Sequence, residues 1–165
     1  HKGREWDGGL RVPAVLCRKG RFAEGVRSEQ LAAFVDMAPT IAALVGAGEP
    51  PRPYDGVNLL PALTGETASF PRDLYLGCGA AVSGDCKLIL KGGSRAMQLK
   101  SDYLVYYPED AYEAQNRIEE HAAEAERLRR YIIRYDTIRP AHPELPYGQG
   151  KEGFKAPAEW RVTKP

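Results

Sequence analysis

The chain has 165 residues, 43% hydrophobic and 27% charged, with 23 Lys and Arg against 22 Asp and Glu for a net charge of +1. That length suits one domain, or a small domain with an extra piece, and the composition is that of a folded chain rather than a disordered one. Acids and bases alternate instead of forming the basic stripe of a nucleic-acid module, and no apolar run reaches the ~18–20 residues of a bilayer span, so neither nucleic acid nor membrane is expected as a partner.

The chain opens on His1-Lys2-Gly3, with no methionine and no leader-like segment, and reads as the interior of something longer. Gly8-Gly9 makes a turn, and the apolar run Val12–Cys17 that follows predicts a strand buried on both faces, with Pro13 at its start or edge and Cys17 in a core. Residues 18–25 are a polar connection. Asp36 ahead of Pro39, then Ile41, Leu44 and Val45 before Gly46 and Gly48, predicts a helix over 38–45 with Asp36 as its cap. Pro50, Pro51 and Pro53 mark a loop, and 58–63 is a single helical turn stopped at Gly65.

Composition shifts after Glu66. Brief strand-like runs at 74–76, 80–82, 87–90, 97–99 and 103–107, separated by turns such as Ser83-Gly84-Asp85 and Gly92-Gly93-Ser94, predict an antiparallel meander. From Tyr112 to Tyr135 the pattern is helical. Ile118, Ala122, Ala125, Leu128, Ile132 and Tyr135 share one face that is expected to cover the sheet, with Glu126 and Arg130 able to pair on the other. The tail after Pro140 is proline-rich and without periodicity. The fold class is therefore α/β (α+β), with segments 1–66, 67–139 and 140–165.

No complete catalytic set emerges from the residues alone. There is no G-x-S-x-G, P-loop or dinucleotide fingerprint. His1, His121 and His142 lack ligand spacing; His121 reads as a helix-boundary residue and Glu119-Glu120 as a solvated pair. Three scattered cysteines make no zinc site or disulfide scaffold, although Cys78 and Cys86 flank a turn and either pair across it or stay free.

A run of motifs adds more. Lys2-Gly3-Arg4-Glu5-Trp6-Asp7-Gly8-Gly9-Leu10-Arg11-Val12-Pro13 closely resembles the sulfatase pattern of lysine, glycine, an aromatic, an acid, two glycines and Arg-Val-Pro. In the family's order follow Phe34-Val35-Asp36-Met37-Ala38-Pro39-Thr40-Ile41 and Asp55-Gly56-Val57-Asn58-Leu59-Leu60. Arg72-Asp73-Leu74-Tyr75 comes next, and then Gly84-Asp85-Cys86-Lys87-Leu88-Ile89, with Cys86 in an aromatic's place. Last is Asp110-Ala111-Tyr112-Glu113-Ala114-Gln115-Asn116, similar to an acidic turn before the last helix. The chain thus resembles the C-terminal portion of a sulfatase (arylsulfatase-like, alkaline-phosphatase superfamily).

The resemblance implies that residues 1–66 end a large α/β domain, and that 67–139 form a small domain of about four antiparallel strands covered by one long helix. It implies that Lys2 contacts the sulfate, a role suited to an ammonium facing a growing oxyanion. His1, where the family often has glycine, is a candidate substrate-binding residue. Asp7 and Arg11 read as loop-fixing residues, and Tyr106 and Tyr107 as packing, or as part of a leaving-group pocket. The family's formylglycine, made from a Cys/Ser-x-Pro-x-Arg motif, and its divalent cation, usually calcium on paired acids, have no counterpart among these residues.

The expected parent is a sulfuric ester hydrolase acting on a sulfated small molecule or carbohydrate, in a periplasmic or secreted setting. This chain, binding no metal itself, is expected to be inactive without a partner N-terminal catalytic domain. A phosphate or phosphonate monoesterase, a non-catalytic interaction module, and a stand-alone homo-oligomer that covers the 10–17 strand in a dimer are the rival expectations.

Overall fold

The short runs after residue 66 pair into a four-stranded antiparallel sheet in simple sequential order: β1 Asp73–Gly77, β2 Ala80–Ser83, β3 Cys86–Ile89 and β4 Tyr103–Tyr106. The structure is a computed structural model that describes residues 4–22, 24–48, 50–93, 98–138, 149–150 and 152–155. Tight turns set the register. Cys78 and Gly79, at φ 47 and 73, take the left-handed backbone that a two-residue hairpin demands, and a bulge between Tyr75 and Gly77 accompanies it. Gly84-Asp85 closes the next hairpin, where Ser83 faces Cys86.

Side chains alternate across the sheet, and both faces are covered. On one face Ala81, Cys86, Leu88 and Leu104 meet Ala125, Leu128 and Ile132 of α4 (Ala122–Asp136), with Ile118 and Tyr131 at the margin. On the other face Ala80 and Ile89 pack with Trp6, Leu76 and Leu99. Every residue of β3 is buried as a result, Lys87 included. The expected helix-covered sheet is present, and Ala125, Leu128 and Ile132 of the apolar stripe are its contact. Ala122, read as part of that stripe, is exposed.

The last helix starts at Ala122 rather than near Tyr112. Glu113 sits at φ 57, and the Asp110 carboxylate accepts the Gln115 N–H at 2.7 Å, which turns the chain away from a helical path. Asn116 Oδ1 then accepts the Leu104 N–H at 3.0 Å, and the Arg117 N–H donates to the Leu104 carbonyl at 2.9 Å. These bonds close the outer edge of β4, so the segment serves the sheet instead of extending the helix.

The N-terminal half departs most from expectation. After α1 (Asp7–Leu10), residues 11–18 form no strand, and Val12 and Val15 are 75% and 92% exposed. A strand buried on both faces needs a neighbour in the sheet and a layer on each side, and no described strand pairs with this run. Cys17 is exposed rather than in a core; it, Cys78 and Cys86 are all free thiols. A short 3-10 helix, Phe34–Asp36, leads into α2, Met37–Val45, one residue earlier than expected. At its end Gly46, at φ 67, donates to Ala43 and Ala47 donates to Ala42, the paired bonds of a glycine stop. The turn after the proline loop is α3, Leu60–Leu63. Gln98 and Leu99 lie in no strand, Met97 is outside the described residues, and so is most of the tail.

Leu128 is wholly buried between α4 and the sheet. Leu128→Ala is expected to lower unfolding free energy by about 2–5 kcal/mol, read as a shift of the urea midpoint with little change in slope.

Candidate functional site

The site proposed from the sequence begins at Lys2, and the turn that follows it is the part the structure describes; His1 and Lys2 themselves lie outside the described residues. From Arg4 onward the turn is pressed onto the sheet. The Trp6 ring meets the Tyr103 ring edge-on at 5.1 Å, and Asp7 begins α1.

Asp7 is held by both its main chain and its side chain. Its N–H donates to Glu113 Oε2 at 2.7 Å. Its Oδ1 accepts from Lys87 Nζ at 2.9 Å and from the Tyr107 hydroxyl at 2.7 Å, and its Oδ2 pairs with Arg11 at 2.9 Å. Lys87 also pairs with Glu113. The Lys87 side chain is 1% exposed, that of Glu113 7% and that of Asp7 25%. The ammonium stands 6.0 Å from the Trp6 ring centre and 5.8 Å from that of Tyr107, and the Arg11 guanidinium also lies over the Tyr107 ring, at 5.5 Å. Two carboxylates thus answer two cations around one buried lysine.

Burial alone would push the Asp7 carboxyl up. Hydrogen bonds from Lys87 and Tyr107 and the charges of Lys87 and Arg11 outweigh it and hold the acid below its usual value. Burial and the same Asp7 bond push the Tyr107 hydroxyl up, which keeps it a donor. Asp7 and Arg11 therefore fix a loop, as the sequence suggested. Tyr107 ties that loop to the sheet, and Tyr106 packs against the α4 core.

A second buried acid organises the other end. Asp36 has no exposed surface; its Oδ2 accepts the Ala33 N–H at 2.7 Å and Arg72 at 2.6 Å, and its Oδ1 accepts the Val57 N–H at 2.9 Å. Thr40 accepts the Leu59 N–H at 2.9 Å. Asp36 does not cap α2 with its side chain, contrary to expectation, because these three donors already occupy it. Gly56 is required here: a Cβ on it would lie 2.2 Å from the Val35 carbonyl oxygen. Between this centre and α4 runs an open cleft of about 720 Å³, lined by Asp55, Arg72, Tyr75, Tyr131, Tyr135 and Asp136. Tyr75 stacks on Tyr135 at 5.2 Å and donates to Asp136.

Among the described residues no group of three or more His, Cys, Asp or Glu is placed to hold a metal ion. His121 lies against the Tyr106 ring at 4.5 Å, and Glu120, read as solvated, binds Arg117 at 2.8 Å. The sequence marks Asp36 only as a helix cap, and Lys87, Glu113 and Arg72 only as members of longer motifs. The available signals were a lone lysine inside an apolar strand and the acid of the turn at 110–116.

No family model matches the chain. Arylsulfatase G of Rattus norvegicus is 40% identical over 75 residues, 45% of this chain. Arylsulfatase A of Bos taurus is 46% identical over 71 residues, 43% of this chain, and steryl-sulfatase of Rattus norvegicus 34% over 84 residues, 50% of it. The match spans only 14–15% of those proteins' lengths. A solved structure from work on glycosaminoglycan metabolism by Bacteroides thetaiotaomicron, designated a "sulf" protein, shares the fold at TM-score 0.50 and 18% identity, covering 62% of this chain and 24% of that one.

The Asp36 carboxyl is lowered below 3.8 because the bonds from Arg72, Val57 and Ala33 and the Arg72 charge overcome the upward push of burial. A folded value below the unfolded one gives stability that is full above 3.8 and lost as pH falls through the folded value. Unfolding midpoints in urea are expected to drop below that pH. Asp36→Asn is expected to flatten that drop and to cost about 3–5 kcal/mol at neutral pH by stranding Arg72.

Proposed function

We propose that the chain, which is similar to arylsulfatases over 43–45% of its length, is a segment of a sulfatase and supplies the sulfate-contacting lysine and its supporting sheet to an enzyme that hydrolyses sulfate esters to an alcohol and inorganic sulfate. The identity of 40–46% to arylsulfatases over 71–75 residues carries this reading. The seating of the turn next to Lys2 on the sheet agrees with it.

The chemistry assigned to the lysine follows from charge. A sulfate ester is already an anion, and breaking its S–O bond moves further negative charge onto oxygen. Lys2, with three donors on a flexible stem, lowers the barrier to the extent that it binds that charge more tightly in the transition state than in the ground state. His1 is the neighbour placed by sequence to reach the same anion.

The residues described do not fit the family's calcium. Three of the acids at the sheet and the α2 region are already engaged, Asp7 and Glu113 by Lys87 and Asp36 by Arg72, and Asp110 accepts the Gln115 N–H. A hard cation needs six or more oxygen ligands. Formylglycine has no precursor motif here either, as Cys17, Cys78 and Cys86 lack the proline and arginine. Nucleophile and metal belong, on this reading, to an N-terminal catalytic part. Its contact face is the apolar surface left by Val12, Val15, Val26, Phe34, Ile41 and Val45, of which Phe34 is 90% exposed. The enzyme is assigned to a periplasmic or secreted setting, with a sulfated small molecule or carbohydrate as substrate; among the described residues no helix is long and apolar enough to cross a membrane.

The complete gene product that includes this chain is expected to release sulfate from an aryl sulfate and to act far more slowly on the matching aryl phosphate. Lys2→Ala is expected to lower kcat by about 10²–10³-fold, the cost of one oxyanion donor. The 165-residue chain alone is expected to release none. Preference for the phosphate ester would favour a phosphomonoesterase. Sulfate release by the isolated chain would overturn the division of labour.

A further inference from the structure

We infer that Lys87 is a positioning residue, which acts through Asp7 and Glu113 to fix where the Lys2 turn leaves the sheet. The inference rests on the role proposed for Lys2. Lys87 projects from the middle of β3, the strand buried on both faces, so its ammonium starts from the most rigid part of the sheet. It meets Asp7, five residues after Lys2, and Glu113, from the turn ahead of α4. Glu113 in turn accepts the Asp7 N–H at 2.7 Å. Main chain and side chain of residue 7 are therefore both held, and the Trp6 ring is fixed on Tyr103 beside them. Extended chain advances at most about 3.6 Å per residue, so anchoring Asp7 limits how far the chain five residues upstream can reach to about 18 Å.

The form of the anchor argues for a positional role. Its neighbours on this face, Ala80, Val82, Ile89 and Val105, are apolar and buried, and an apolar residue at position 87 would cover the face as well. Buried ion groups seldom stabilise more than well-packed apolar replacements. What charge adds is direction, because an ammonium and two carboxylates fit together in few arrangements. Glu113 also holds a left-handed backbone, φ 57, that non-glycine residues seldom adopt and that persists only where surroundings enforce it.

The test uses the complete gene product with an aryl sulfate. Lys87→Met, Asp7→Asn and Glu113→Gln are each expected to lower the melting temperature by leaving a buried group unmatched, and the neutral triple variant to recover much of that loss. If the network positions Lys2, the triple variant keeps a kcat about 10–100-fold below wild type, with KM within about threefold. Lys2→Ala then costs less in the triple variant than in wild type, since the lysine is already misplaced. Recovery of kcat together with melting temperature would overturn the positioning role and leave the sulfatase reading standing. Should the triple variant not fold, the cycle of Lys2→Ala with Asp7→Asn decides instead: coupling supports the role, and additive losses overturn it. A wild-type product that releases no sulfate would sink both readings.

Discussion

An ammonium group at the centre of a sheet cannot remain without counter-charge, and much of the architecture follows from that constraint. Taking a lysine out of water costs several kcal/mol unless carboxylates and further hydrogen bonds replace the solvent. β3 is too short and too covered for Lys87 to reach water, so the acids must come to it. Asp7 arrives from the first described turn and Glu113 from the loop before the last helix, segments with no sequence proximity to each other. Once Glu113 is drawn in, the 110–118 segment closes the edge of β4, and α4 cannot start until Ala122. Placement of α1, closure of the sheet and the length of the last helix are thus three consequences of one buried charge.

The region around Asp36 solves a related problem by similar means. Residues 28–33 and 50–59 form no helix or strand, so their backbone N–H groups lack the partners such elements would give. Asp36 and Thr40 take three of them, from Ala33, Val57 and Leu59. Arg72, just before β1, then neutralises the acid and joins the α2 region to the sheet. Polar bonds rather than apolar burial hold this part in place. That is consistent with Phe34 staying exposed on the 3-10 helix and Ile41 and Val45 on α2.

Legibility in the sequence followed the range of the interactions. The stretch from Ala125 to Ile132 was readable because helical spacing is local, and the hairpins because their turn residues sit between their strands. The helix start was overextended because Ile118 does pack on the core cluster while its backbone does not coil; periodicity reports the contact and not the conformation. The acidic motif at 110–116, read as a turn ahead of the last helix, described that segment better than hydrophobic spacing did. The run 12–17 failed for the converse reason: an apolar run shows that cover is wanted, not that it is present. Within the candidate site, Asp7 and Arg11 could be read as loop-fixing from their place beside a Gly-Gly turn. Lys87 could not, since its partners lie 80 residues before it and in a loop well after it, and nothing in a single sequence links them.

The pattern of charge also bears on what such a segment can give to an active site. Asp7 and Asp36 each meet a cation and use both carboxylate oxygens: Asp7 toward Lys87 and Arg11, Asp36 toward the Val57 N–H and Arg72. A carboxylate so engaged is a poor general base, because protonating it would strand its partner, and the lowered values of both acids express that penalty. These acids therefore act as structural anions. An anionic ester gains nothing from more negative charge nearby, whereas a scaffold that neutralises its own acids leaves a nearby cation free to face the substrate. That charge balance suits the role proposed for Lys2.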